Sequence, residues 1–140
     1  MSLTLTTQIQ IHAPTAAVWE ALTSPAMVKQ YFFGTDLVTD WQVGSPIYFR
    51  GEWDGTPYED KGTVLEFMPQ QRLSYDYLSS FSGLADLPEN YALISYVLEE
   101  QDSVCTLTIT QDKLSDEEKL AHSEQNWQAI MGEMKKILAY

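Results

Sequence analysis

Ser115–Tyr140, SDEEKLAHSEQNWQAIMGEMKKILAY, decides the fold. Leu120, Trp127, Ile130, Met131, Met134, Ile137 and Leu138 recur at three- and four-residue spacing, which places them on one stripe of an amphipathic helix. Ser115 with Glu118 three residues later has the spacing of a capping box. Asp116, Glu117 and Glu118 stand in the first turn and Lys135 and Lys136 near the end, so both charge groups complement the helix dipole. A helix with one wide apolar face must bury it against a partner. No other stretch of this chain reads as a long helix. The partner is therefore the sheet formed by the segments upstream.

Those segments change period from 3.6 to 2. Leu3, Leu5, Ile9 and Ile11 alternate with polar residues as a half-buried strand, ended by Ala13-Pro14. Ala16–Thr23 reads as a short helix. Ser24 and Pro25 suit the N-cap and first position of a second one, which runs to about Tyr31. Strands follow over Thr35–Thr39, Ile47–Trp53, Thr63–Phe67, Leu73–Tyr77, Ala92–Leu98 and Cys105–Ile109, separated by turn signals such as Asp54-Gly55. Strands joined by tight turns pair antiparallel. The order predicts an α+β fold, a curved antiparallel sheet of about seven strands wrapped round a long C-terminal helix, with two short helices after the first strand. One helix cannot cover both faces, so one face stays wet. At 140 residues the chain is expected to form a single domain over 1–140.

Charge removes whole classes of partner. The formal net charge is −12, and the eight Lys and Arg residues are scattered. Nucleic acid and anionic membranes need a basic face, so neither is expected as a partner. No apolar run approaches the roughly 20 residues of a membrane span, and the N-terminus lacks the pattern of a signal peptide. The lone Cys105 allows no internal disulfide. A cytoplasmic setting is the expectation.

The stretch Ile9–Pro25, IQIHAPTAAVWEALTSP, resembles the start of START-like (SRPBCC) helix-grip proteins. Val43-Gly44-Ser45 before an aromatic strand, and Asn126-Trp127 in the closing helix, are similar to the branch named for the activator homologue of the heat-shock-protein-90 ATPase. The resemblance covers essentially the whole chain. It implies the helix-grip fold and an interior cavity. The superfamily spans lipid carriers, hormone receptors, polyketide cyclases and stress-response proteins, so fold alone does not fix function. Co-chaperones of this branch carry a further N-terminal domain, for which 140 residues leave no room. A chaperone contact is accordingly the weakest of three expectations.

The first expectation is a small-molecule binding module, not an enzyme, that acts as a monomer or homodimer without a cofactor. Strand parity and the helix stripe point Trp53, Phe67, Tyr75, Tyr77, Tyr96, Trp127 and Met131 at the interior. Together they would line a pocket for a hydrophobic or amphipathic molecule, although a filled core explains any one of them. The loop Ser79–Asn90 would be the lid. The second expectation is a cyclase- or hydrolase-like enzyme using the same cavity. Its acid–base candidates are Glu124, which falls on or beside the stripe of Leu120, Trp127 and Met131, and the inward tyrosines. Solvent exposure at the cavity mouth is the simpler reading of Glu124. His12, His122 and Cys105 lack companions at ligand spacing, so no metal site is expected.

Overall fold

The computed structural model describes residues 3–80 and 83–138, with the Trp53 side chain outside that description. Strand β1 (Leu3–Ile11) leads into helices α1 (Thr15–Thr23) and α2 (Pro25–Tyr31). Strands β2 (Asp36–Val38), β3 (Pro46–Trp53), β4 (Thr56–Met68), β5 (Arg72–Tyr77), β6 (Ala92–Gln101) and β7 (Val104–Leu114) follow, and helix α3 (Glu117–Leu138) closes the described chain. The seven described strands form one antiparallel sheet in the order β1-β7-β6-β5-β4-β3-β2. The fold is α+β, as the residue pattern implies, and it is the helix grip that the resemblance implies. α3 lies mainly against β1, with further contacts to β7, α2 and α1.

The helix stripe is buried at Trp127, Ile130, Met131, Met134 and Leu138, while Ile137 is exposed. Two side-chain hydrogen bonds fix the helix on the sheet. Trp127 Nε1–H donates to Gln111 Oε1 at 2.8 Å, and Gln128 Nε2–H donates to Thr7 Oγ1 at 2.5 Å. The cap differs from the expected capping box. The Asp116 carboxylate accepts the Lys119 N–H at 2.8 Å, and the Asp116 carbonyl accepts the Leu120 N–H at 3.1 Å. Asp116 thus sits one residue before the helix and takes the role assigned to Ser115. Asp caps as well as Ser does, and its charge also meets the dipole.

Parity in β4 departs from the alternation of Thr63, Leu65 and Phe67. The register shifts between Val64, opposite Tyr75, and Glu66, opposite Ser74. Val64 is buried and Leu65, the extra residue, points to solvent. A bulge of this kind flips the side-chain alternation on its far side, so Phe67 still turns inward opposite Leu73. Further back in β4, Gly62 passes so close to β5 that a Cβ there would lie 1.7 Å from the Asp76 carbonyl oxygen. No larger residue fits that approach.

Candidate functional site

Five aromatic rings close a circuit between the sheet and the helices. Phe32 stacks on Phe49 with centroids 5.8 Å apart. Phe49 meets Tyr75 at 5.4 Å, Tyr75 meets Tyr96 edge-on at 5.7 Å, and Tyr96 meets Trp127 edge-on at 5.9 Å. Trp127 returns to Phe32 at 6.1 Å, again edge-on. Each contact falls in the favourable range for aromatic pairs, worth about 0.5–1.5 kcal/mol beyond the burial of area. β3, β5 and β6 supply one ring each, α3 supplies Trp127, and the residue after α2 supplies Phe32.

Four of these rings border a small void, together with Leu22, Val28, Tyr31, Leu37 and Trp41. Its volume is about 10 Å³. That is near the lower limit for one water molecule. The roomy container expected between sheet and helix is therefore packed shut by its own side chains. Phe49 of β3, Tyr75 and Tyr77 of β5 and Tyr96 of β6 help to fill the space that the curvature creates.

The predicted lining residues divide. Tyr75 and Tyr96 border the void. Trp127, Tyr77 and Phe67 stand one ring further out, each against a ring that borders it. Trp127 touches Phe32 and Tyr96, Tyr77 touches Phe49 at 5.7 Å, and Phe67 stacks on Trp41 at 5.6 Å while also meeting Trp19. Met131 is buried in the core without bordering the void. The side chain of Trp53 lies outside the described residues. Glu124 is exposed on α3 and does not border the void. His12 and His122 are exposed as well, and Cys105 is buried with its thiol pushed up by that burial.

Phe32, Phe49, Tyr31 and Trp41 went unassigned from the sequence. Phe49 was legible, since it alternates inward with Ile47. Tyr31 follows Val28 by three residues on α2. Phe32 and Trp41 carry no periodic signal. Phe32 ends α2 with φ −111° and ψ 53°, and Trp41 sits in a connection with φ 59°. Trp41 is held by its indole N–H, which donates to the Thr23 carbonyl at 2.9 Å.

The polar groups at the void are phenols. Tyr31 O–H donates to the Ala21 carbonyl at 2.7 Å, and the Tyr75 and Tyr96 hydroxyls bond each other at 2.7 Å. Burial holds all three well above the ordinary tyrosine pKa, because the phenolate loses its hydration; neighbouring phenols add to the rise at Tyr31 and Tyr75. At neutral pH they are donors and weak acceptors.

The loop expected as a lid divides between the two faces of the sheet. The Ser80 N–H and hydroxyl bind the buried Asp60 carboxylate at 2.8 and 3.0 Å, and the same carboxylate accepts the Tyr77 hydroxyl. Beyond Gly83, Asp86 pairs with Lys61 at 2.5 Å and accepts the Tyr91 hydroxyl at 2.5 Å. Asp86 and Pro88 help to line a shallow groove with Tyr48, Thr63 and Asp76, residues that alternate with the inward Ile47, Phe49, Val64 and Tyr75. Asp86 and Pro88 therefore lie on the outer face of the sheet, whereas Ser80 is tied to Asp60, which stands opposite the inward Phe49. Phe81, part of the expected lid, lies outside the described residues.

A curved antiparallel sheet gripping a terminal helix over an aromatic interior defines a START-like helix-grip protein. The chain belongs to the family described as activator of Hsp90 ATPase homolog 1-like protein, whose model matches residues 12–139. It is similar to the ChR145 protein of Cytophaga hutchinsonii, with 41% identity, a TM-score of 0.85, and 97% of this chain and 93% of that chain covered. CalU16 of Micromonospora echinospora shares the fold at 17% identity and a TM-score of 0.78, with 98% of this chain and 76% of that one covered. The Aha1 dimer of Colwellia psychrerythraea does so at 19% identity and 0.76, with 97% and 96% covered. No functionally curated protein matches the chain. Among the described residues no helix is long and apolar enough to cross a membrane.

Proposed function

We propose that the chain is a binding module for a small hydrophobic or amphipathic molecule, taken up beside the Tyr75–Tyr96 pair. The observation that carries this reading is the void itself, bordered by nine residues that are apolar or phenolic, with no carboxylate, lysine or imidazole among them. Such a lining suits carbon-rich ligands and offers no poised acid or base, which favours binding over catalysis.

A ligand larger than one water must displace part of the wall. Phe32 and Trp41 are the members to move. Both are half-buried, both lie outside helices and strands, and left-handed backbone at Phe33, Gly34 and Trp41 marks the segment that carries them. An entering molecule has to replace the aromatic contacts that those rings give up. A flat, aromatic or unsaturated molecule does so best.

The test is a ¹H–¹⁵N NMR titration of the full chain with indole. Binding at the void shifts the amides of Phe32, Trp41, Phe49, Tyr75 and Tyr96 together, with one saturating curve. Shifts confined to the groove by Tyr48 and Tyr91, or none at all, would overturn the reading.

A further inference from the structure

The hydrogen-bond account at the void has one donor left over. Tyr31 spends its proton on the Ala21 carbonyl. Tyr75 and Tyr96 share a single bond between their hydroxyls, in which either oxygen can be the donor. Whichever donates, the other hydroxyl keeps a proton with no acceptor among the described residues. Both side chains are buried, at 1% and 6% exposure, and both border the void. A buried donor without a partner carries a desolvation cost that a ligand acceptor would relieve.

Charge narrows the choice further. No cationic side chain borders the void to offset a carboxylate, and no anionic one to offset an ammonium. An ion entering that lining would lose its hydration and gain no counter-charge. We propose that this pocket selects neutral molecules with one hydrogen-bond acceptor, such as an aryl ketone, ester or ether, set against the Tyr75–Tyr96 hydroxyl pair. This selectivity rests on the pocket reading above. The acceptor takes the spare phenol proton, while the carbon frame replaces Phe32 and Trp41 against Phe49 and Tyr75.

Three probes of nearly equal size separate the possibilities by NMR titration of the full chain. Acetophenone carries the acceptor, α-methylstyrene has a methylene group in its place, and benzoate is anionic. One added neutral hydrogen bond corresponds to roughly a three- to tenfold gain in affinity. Acetophenone is therefore expected to bind three- to tenfold tighter than α-methylstyrene at Phe32, Trp41 and Tyr96, with no benzoate shifts there. In the Tyr75→Phe/Tyr96→Phe variant the gap closes while α-methylstyrene binding persists. Equal binding of the two neutral probes to the unmodified chain, or comparable binding of benzoate, overturns the selectivity but leaves the pocket standing. Failure of all three probes at these residues removes the pocket as well. The comparison on the unmodified chain decides the matter even if the double variant does not fold.

Discussion

Raising the pH above 10 should unfold this protein in a single cooperative step, and the buried phenols set the size of the effect. Tyr31, Tyr75 and Tyr96 are buried, and all three pKa values rise in the folded state from the ordinary 10.0, with loss of hydration as the first cause. In the unfolded chain they ionise near 10. The folded state therefore binds more protons than the unfolded one above that value, and stability falls as pH rises. The contribution is complete below pH 10 and drains away as pH climbs from there towards the folded pKa values. At pH 11 each phenol held neutral in the fold costs about 1.4 kcal/mol relative to the unfolded state, so the three together cost about 4 kcal/mol. That is a large share of the roughly 5–15 kcal/mol available to a domain of this size. The assay is tyrosinate absorbance at 295 nm recorded beside far-ultraviolet circular dichroism from pH 8 to 12. The exposed tyrosines should titrate first, and the buried ones should ionise only as the dichroism collapses. Complete tyrosine ionisation near pH 10 with the secondary structure intact would refute the reasoning. The Tyr75→Phe/Tyr96→Phe variant supplies a control, since it should lose stability less steeply over the same window.

Three further outcomes follow from specific contacts. Gly62→Ala sets a Cβ 1.7 Å from the Asp76 carbonyl oxygen, so β4 or β5 must shift; a loss of about 1–3 kcal/mol or more is expected in urea unfolding, and an unchanged midpoint would contradict the close approach. Asp116→Ala should cost about 1 kcal/mol through loss of the bond to the Lys119 N–H, whereas Ser115→Ala should stay within about 0.5 kcal/mol, and the reverse order in thermal unfolding would restore Ser115 as the cap. Trp127→Ala removes two ring contacts and the bond to Gln111, and a cost of about 3–5 kcal/mol in chemical denaturation is expected, with a cost below 1 kcal/mol counting against the five-ring circuit.

The fold was legible because its signals are periodic. The α3 stripe from Trp127 to Leu138 repeats every three to four residues, and β7 alternates Cys105, Leu107 and Ile109 inward, as observed. The pocket was less legible because its defining residues break period. Phe32 and Trp41 take part through irregular backbone, where neighbouring positions do not predict facing. The β4 bulge puts Leu65 and Phe67 on opposite faces, since a single extra residue resets the parity beyond it and leaves no mark in composition. Glu124 lies at the edge of the α3 stripe and is exposed. A stripe on a helix has edges, and a residue one position off the buried centre reaches solvent. Free space was the least legible property. Inward aromatics are the same whether they line a chamber or fill it, and only coordinates distinguish a void of about 10 Å³ from one that holds a ligand.

A crystal structure grown with acetophenone tests the central claim most directly. The account predicts ligand density between Phe49 and the Tyr75–Tyr96 pair, with Phe32 and Trp41 swung outward and the carbonyl oxygen within hydrogen-bond distance of one phenol. A probe seated only on the outer groove near Tyr48 and Tyr91, with the five rings still in contact, would contradict it.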